Sequence, residues 1–238
     1  MPSEASPASA SKTARIAGIL YLGMMPLAIF TLWVRASVGV PGDAAATARN
    51  VRASEDWLRV AIVTWLASQT LFIFLLLALH RLLAPVNRSH ASLMVVLGLA
   101  GVPIAFLNEI FQFAALVLVS GADYLGPLGA AQRDASVMLL LRLHDHGLYI
   151  AHVFWGLWLL PLGCLVFRSG FLPRILGALL ILAGAGYLMD FLRYVLLPDV
   201  ELTVTQFTFI GELLLPLWLV VRGVDSRRWQ RPAAAQSV

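Results

Sequence analysis

Apolar residues run in six long blocks, roughly 16–37, 57–80, 91–119, 143–167, 172–197 and 204–222, and most charged residues fall between them. Each block is close to or above the ~20 residues that an α-helix needs to cross a hydrocarbon core of about 30 Å. Inside lipid the backbone must satisfy its own hydrogen bonds, so helices are the spans to expect. The pattern predicts an all-α fold: a polytopic membrane bundle of six transmembrane helices.

The segments between the blocks carry their own signals. Pro41-Gly42-Asp43 reads as a turn with Asp43 as helix N-cap, followed by a short surface helix over 44–53. Glu55 and Asp56 open the next span, where the helix dipole favours acids. Trp33 and Trp57 stand where an aromatic belt would lie. Pro85-Val86-Asn87-Arg88 and the stretch 168–174 make tight connections, and 120–134 is a Gly- and Pro-rich loop. The run 135–143 fits either an interfacial helix or an extension of the fourth span.

Composition agrees with this picture. Charged residues make up 13% of the chain, against about 25% in an ordinary soluble domain. No polar insert is long enough to fold alone, so one transmembrane domain over 13–223 is expected. It is flanked by a disordered cytoplasmic tail, 1–12, and a basic cytoplasmic tail, 224–238. The first apolar block exceeds the ~7–15 residues of a signal-peptide core, so it is expected to stay as a span. The lone Cys164 excludes an internal disulfide and a cysteine-based metal cluster.

Charge sets the expected orientation. The net charge is +4, with 17 Lys and Arg. Lys12, Arg15, Arg81, Arg88, Arg168, Arg174, Arg222, Arg227, Arg228 and Arg231 fall on the side of both termini and the 2–3 and 4–5 loops. The remaining seven, Arg35 among them, fall on the other side. Short basic loops stay cytoplasmic, so both termini are expected inside, with the chain a multi-pass protein of the cell inner membrane. The basic tail then reads as touching anionic lipid rather than nucleic acid. The lipid bilayer is the expected partner, and no nucleic acid is.

Three strings carry a resemblance: VPGDAAATARNVRASEDWLR at 40–59, LHRLLAPVNRS at 79–89, and FRSGFLPRILG at 167–177 with LLILAGAGYLMD after it. They resemble a bacterial membrane family, domain-of-unknown-function family forty-three eighty-six, over about residues 13–222. The resemblance implies a bacterial integral membrane protein. It implies no activity, substrate or catalytic residue.

Candidate chemistry comes from ionisable groups inside the spans, each of which costs roughly 2–3 kcal/mol near a bilayer centre. The third span puts Asn108 and Gln112 on one stripe with Glu109 beside it. The fourth puts Asp145 and His152 on one face with His144 next to it. The fifth presents Asp190, for which a pair with Arg193 is the simplest expectation. The sixth presents Glu212. At 1.5 Å per residue, Glu109, His152 and Glu212 come roughly 12–15 Å below the outer surface and Asp190 about 9 Å. The expected ligand-binding set is therefore Asn108, Glu109, Gln112, Asp145, His152, Asp190 and Glu212, around an outward-facing polar pocket for a small solute. A buried glutamate beside a histidine could also relay protons.

Other chemistries fit less well. Bis-histidine haem needs ligands on facing helices, yet His144, His146 and His152 share one helix. A metal-dependent membrane enzyme built on His144, Asp145, His152 and Glu109 is the alternative, and a structural role for the polar stripes is a third. No cofactor is expected. No Gly-rich phosphate loop, GxSxG or HExxH is present.

Overall fold

A computed structural model describes residues 7–200, 202–225, 228 and 229. Its elements are helical: α1 (Pro7–Val38), α2 (Ala44–Ala53), α3 (Glu55–Leu83), α4 (Arg88–Val119), α5 (Ala130–Arg168), α6 (Arg174–Leu196), α7 (Thr205–Thr208) and α8 (Ile210–Val221). A single 3-10 turn covers Asp123–Leu125 within the Gly- and Pro-rich loop. The described part of the leading Ser/Ala-rich segment belongs to α1. Residues 1–6 and most of the basic tail, including Arg227 and Arg231, lie outside the described residues.

Among the described residues five helices, α1 and α3 to α6, are long and apolar enough to cross a membrane. The last expected span, 204–222, is not one continuous helix: it forms two short helices that step at Phe209. There the Glu212 N–H bonds the Phe209 carbonyl at 2.9 Å, three residues back, so the ladder tightens. Close packing accompanies the step, since a Cβ on Gly211 would sit 2.7 Å from the Leu179 carbonyl carbon. At 1.5 Å per residue Thr205–Val221 is about 25 Å long, short of a ~30 Å core.

The chain forms two compact units. The first comprises Met1–Gly23, Leu71–Val102 and Ala151–Val238. Leu75, Leu76, Leu79, Leu159, Leu162, Leu180 and Leu215 are fully buried in it. Bare backbones meet at Gly156 and Gly184, where a Cβ on either would lie 2.7 Å from the other's carbonyl oxygen. Lipid offers helices little hydrophobic drive to associate, so such close contact holds them together.

The second unit comprises Met24–Thr70 and Pro103–Ile150. Asp43 caps α2 as its sequence predicts, accepting from the Ala46 N–H at 2.8 Å. The buried face of α2, Ala48 and Val51, joins Val34, Val38, Leu58, Ile62, Leu116 and Val137 in one core. The stretch 135–143 is an extension of the fourth span, because α5 is unbroken from Ala130. Phe30 lies between Trp33 and Trp57, with ring centroids 6.4 and 6.1 Å away, and both tryptophans are exposed, as an aromatic belt requires. Large apolar side chains such as Ile29, Val63, Leu107 and Ile110 are also exposed, the surface a lipid-facing bundle presents.

Candidate functional site

In the second unit, polar side chains from α1, α4 and α5 meet around one carboxylate. Glu109 is 1% exposed. Its Oε1 accepts from Arg35 Nη2 at 2.7 Å and from His144 Nε2 at 3.2 Å. The Arg35 guanidinium also lies over the Trp65 ring, 5.0 Å from its centroid. A charge pair so deep in apolar surroundings needs geometry this close, because each ion has lost its water.

Two further side chains complete the arrangement. The Gln112 amide turns its oxygen toward Arg35, since the opposite orientation would set N–H against N–H. That oxygen accepts from Nη2 at 2.8 Å and from His144 Nε2 at 3.0 Å. With two acceptors before it, His144 Nε2 carries a hydrogen; Nδ1 stands 4.0 Å from Asp145 Oδ1. Asn108 Nδ2 donates to the His144 carbonyl at 2.8 Å. Gly147 makes that approach possible, because a Cβ there would fall 1.9 Å from Asn108 Oδ1.

The cluster is not saturated. Arg35 Nη1, Glu109 Oε2 and Asn108 Oδ1 are buried and find no hydrogen-bond partner among the described residues. Polar atoms in that state are uncommon and point to water or a ligand. Of these three residues Arg35 borders two cavities, whose linings do not include Glu109 or Asn108. A small one of about 70 Å³ is lined by Arg35, Gln112, His144 and Asp145 with apolar neighbours, room for about two waters at ~30 Å³ each. A larger one of about 340 Å³ is lined by Arg35, Thr47, Arg142 and Asp145 with an apolar wall including Leu32, Met138 and Leu141. Arg35 and Asp145 border both. The Asp145 side chain is 54% exposed, unlike Glu109.

Four of the seven residues expected from sequence thus belong to this unit: Asn108, Glu109, Gln112 and Asp145. His152, Asp190 and Glu212 belong to the first unit. There Tyr21 donates to Glu212 Oε2 at 2.9 Å, and the Tyr187 hydroxyl also faces that carboxylate. His152 packs against Trp155 and Tyr187, with ring centroids 5.2 and 5.3 Å away. Asp190 accepts from the Val204 and Thr205 N–H groups at 2.6 and 2.9 Å and from the Thr205 hydroxyl. The expected Asp190–Arg193 pair is corrected: Asp190 caps α7, and Arg193 donates to the Val200 carbonyl instead.

The imidazole against Glu109 is His144, which the sequence reading placed on the neighbouring face of its helix. Arg35 was missed altogether, having been counted with loop charge. Its signal was present: it lies within an apolar run, three residues before α1 ends. Among the described residues no group of three His, Cys, Asp or Glu could hold a metal ion. The enzyme alternative built on a metal therefore has no ligand set among them.

A family model described as Domain of unknown function (DUF4386) matches residues 16–223. The chain belongs to this family. It is also 36% identical over 90 residues to an uncharacterized protein of Archaeoglobus fulgidus. That stretch is 35% of this chain and 54% of the relative, so the chain spans about half the length of the curated relative it matches. The relative is archaeal, so this likeness does not restrict the family to bacteria. No solved structure matches the chain.

Proposed function

We propose that the protein binds a small polar solute, zwitterionic in the first instance, and carries it across or presents it at a cell inner membrane. The supporting observation is the Arg35–Glu109–His144 cluster, in which Arg35, its Nη1 without a partner among the described residues, lines two cavities together with Asp145. Arg35 would meet the anionic end of the solute and Asp145 the cationic end. Glu109, Gln112 and Asn108 would hold Arg35 and His144 in place. His152, Asp190 and Glu212 belong to the proposal as a second polar group. In keeping with the charge bias, both termini are proposed to be cytoplasmic, the cavity outward-facing, and Thr205–Val221 a sixth crossing.

The test is binding by the full chain in lipid nanodiscs, read as thermal midpoint. The probes are free amino acids as zwitterions, with monocarboxylates and monoamines as half-probes. Amino acids are expected to raise the midpoint, and Asp145→Asn to remove that response. Asp145 is half exposed, so the variant should fold. A wild type indifferent to every probe class, matching Asp145→Asn throughout, would defeat the proposal and leave the cluster a structural ion pair.

A further inference from the structure

The first unit holds a different cavity, of about 560 Å³, where the start of α1, the end of α3 and the start of α4 come together. Its polar lining consists of Arg81 and Arg88, the His80 imidazole, and the hydroxyls of Ser9 and Thr13. Among the described residues no carboxylate lines it. Arg81 and Arg88 form no ion pair among the described residues, and the nearest acid in sequence to the cavity wall, Asp225, is paired with Arg228 at 3.2 Å. Trp229 closes one side. Its indole Nε1 donates to the Leu82 carbonyl at 2.9 Å, one of the last carbonyls of α3, which lack a partner within the helix. The wall is thus a fixed aromatic surface, 6% exposed.

We propose that this cavity binds the phosphodiester headgroup of an anionic phospholipid. Two guanidinium groups with no ion pair among the described residues suit phosphate oxygens by their planar fork of donors. Arg88 opens α4, and a helix N-terminus adds favourable potential for an anion. The remaining lining is apolar, including Ala10, Leu82, Ala84 and Pro85. Farther along the same helices, Ile16, Phe74 and Leu77 face outward, a surface for acyl chains beneath a bound head. A free phosphate would use the arginines but not that surface. Basic pockets between spans are a recognised way of holding acidic lipid heads.

Native mass spectrometry of the full chain with phosphatidylglycerol and phosphatidylcholine tests this. Wild type is expected to retain phosphatidylglycerol preferentially. Arg81→Gln and Arg88→Gln should each weaken that retention by roughly five-fold, the effect of one basic residue at a lipid surface. Both side chains are exposed, so folding should survive. Arg49→Gln with Arg52→Gln, two exposed cations of the other unit, should change nothing. Equal retention of the two lipids, or equal loss in the control, would overturn the assignment. So would inorganic phosphate displacing phosphatidylglycerol at equal concentration, which would make the cavity a free-anion site.

Discussion

At the level of single residues, the Glu109 carboxylate and the Arg35 guanidinium make each other tolerable inside an apolar bundle. Removing one leaves the other as an uncompensated charge, which in buried pairs costs about 3–5 kcal/mol. Glu109→Gln should therefore lower stability far more than an exposed substitution. Arg35→Gln in the Glu109→Gln background should recover part of the loss. A double-mutant cycle in detergent would show this as coupling of roughly 1–3 kcal/mol; additive losses would mean the pair is not a unit. Gly147 gives a second check on the same cluster. Gly147→Ala places a methyl group on the Asn108 amide and should destabilise clearly, whereas Gly39→Ala, with nothing within 4 Å, should not. Asn108→Ala should relieve part of the Gly147→Ala penalty, since it removes the atom that is struck. The acids and amides of this cluster were legible in the sequence because polar residues in an apolar run stand out. Their partners were not. Helical spacing shows which residues share a face, but not which neighbouring helix that face meets, and so Arg35 escaped notice.

Helices show the same division between what is local and what is tertiary. The short α2, its Asp43 cap and the acids opening α3 follow from side-chain chemistry within a few residues, and all were readable. The step at Phe209 was not, because 204–222 has the hydropathy of a continuous span. Its irregularity accompanies the contact of Gly211 with the α6 backbone and the proximity of Thr208 to Gly186, neither of which lies within the segment's own sequence. Asp190 belongs to this scale. Its two backbone hydrogen bonds hold the first turn of α7, an unstable start for a helix of four residues. Asp190→Asn halves the acceptor capacity and removes the charge, so a loss of about 1 kcal/mol is expected, typical of a missing cap. Hydrogen exchange should localise it: amides of 204–209 should lose protection while those of α6 keep theirs. Uniform loss along α6 would show that Asp190 holds that helix rather than α7.

For the molecule as a whole, membrane embedding follows from hydropathy alone, because the requirement for internally satisfied backbone holds for any chain in lipid. The number of crossings is a finer matter. Among the described residues five helices have the length, and the last pair, at about 25 Å, depends on how thick the bilayer is around it. Orientation rests on the arginine bias between loops, a kinetic preference during insertion rather than a packing feature. These two quantities are linked, since an even number of crossings places both termini on one side and an odd number separates them. Single-cysteine labelling settles both together. In a Cys164→Ser background, Met138→Cys tests the large cavity, Arg52→Cys the surface of α2, and Ser89→Cys the start of α4. An impermeant thiol reagent added to intact cells with a permeabilised outer layer should modify the first two and spare the third, and inverted vesicles should give the opposite result. A tag fused after residue 238 should be hidden in intact cells if Thr205–Val221 crosses the membrane, and reachable if it does not. Labelling of Met138→Cys only from the cytoplasmic face would reverse the orientation and turn the solute cavity toward the cell interior.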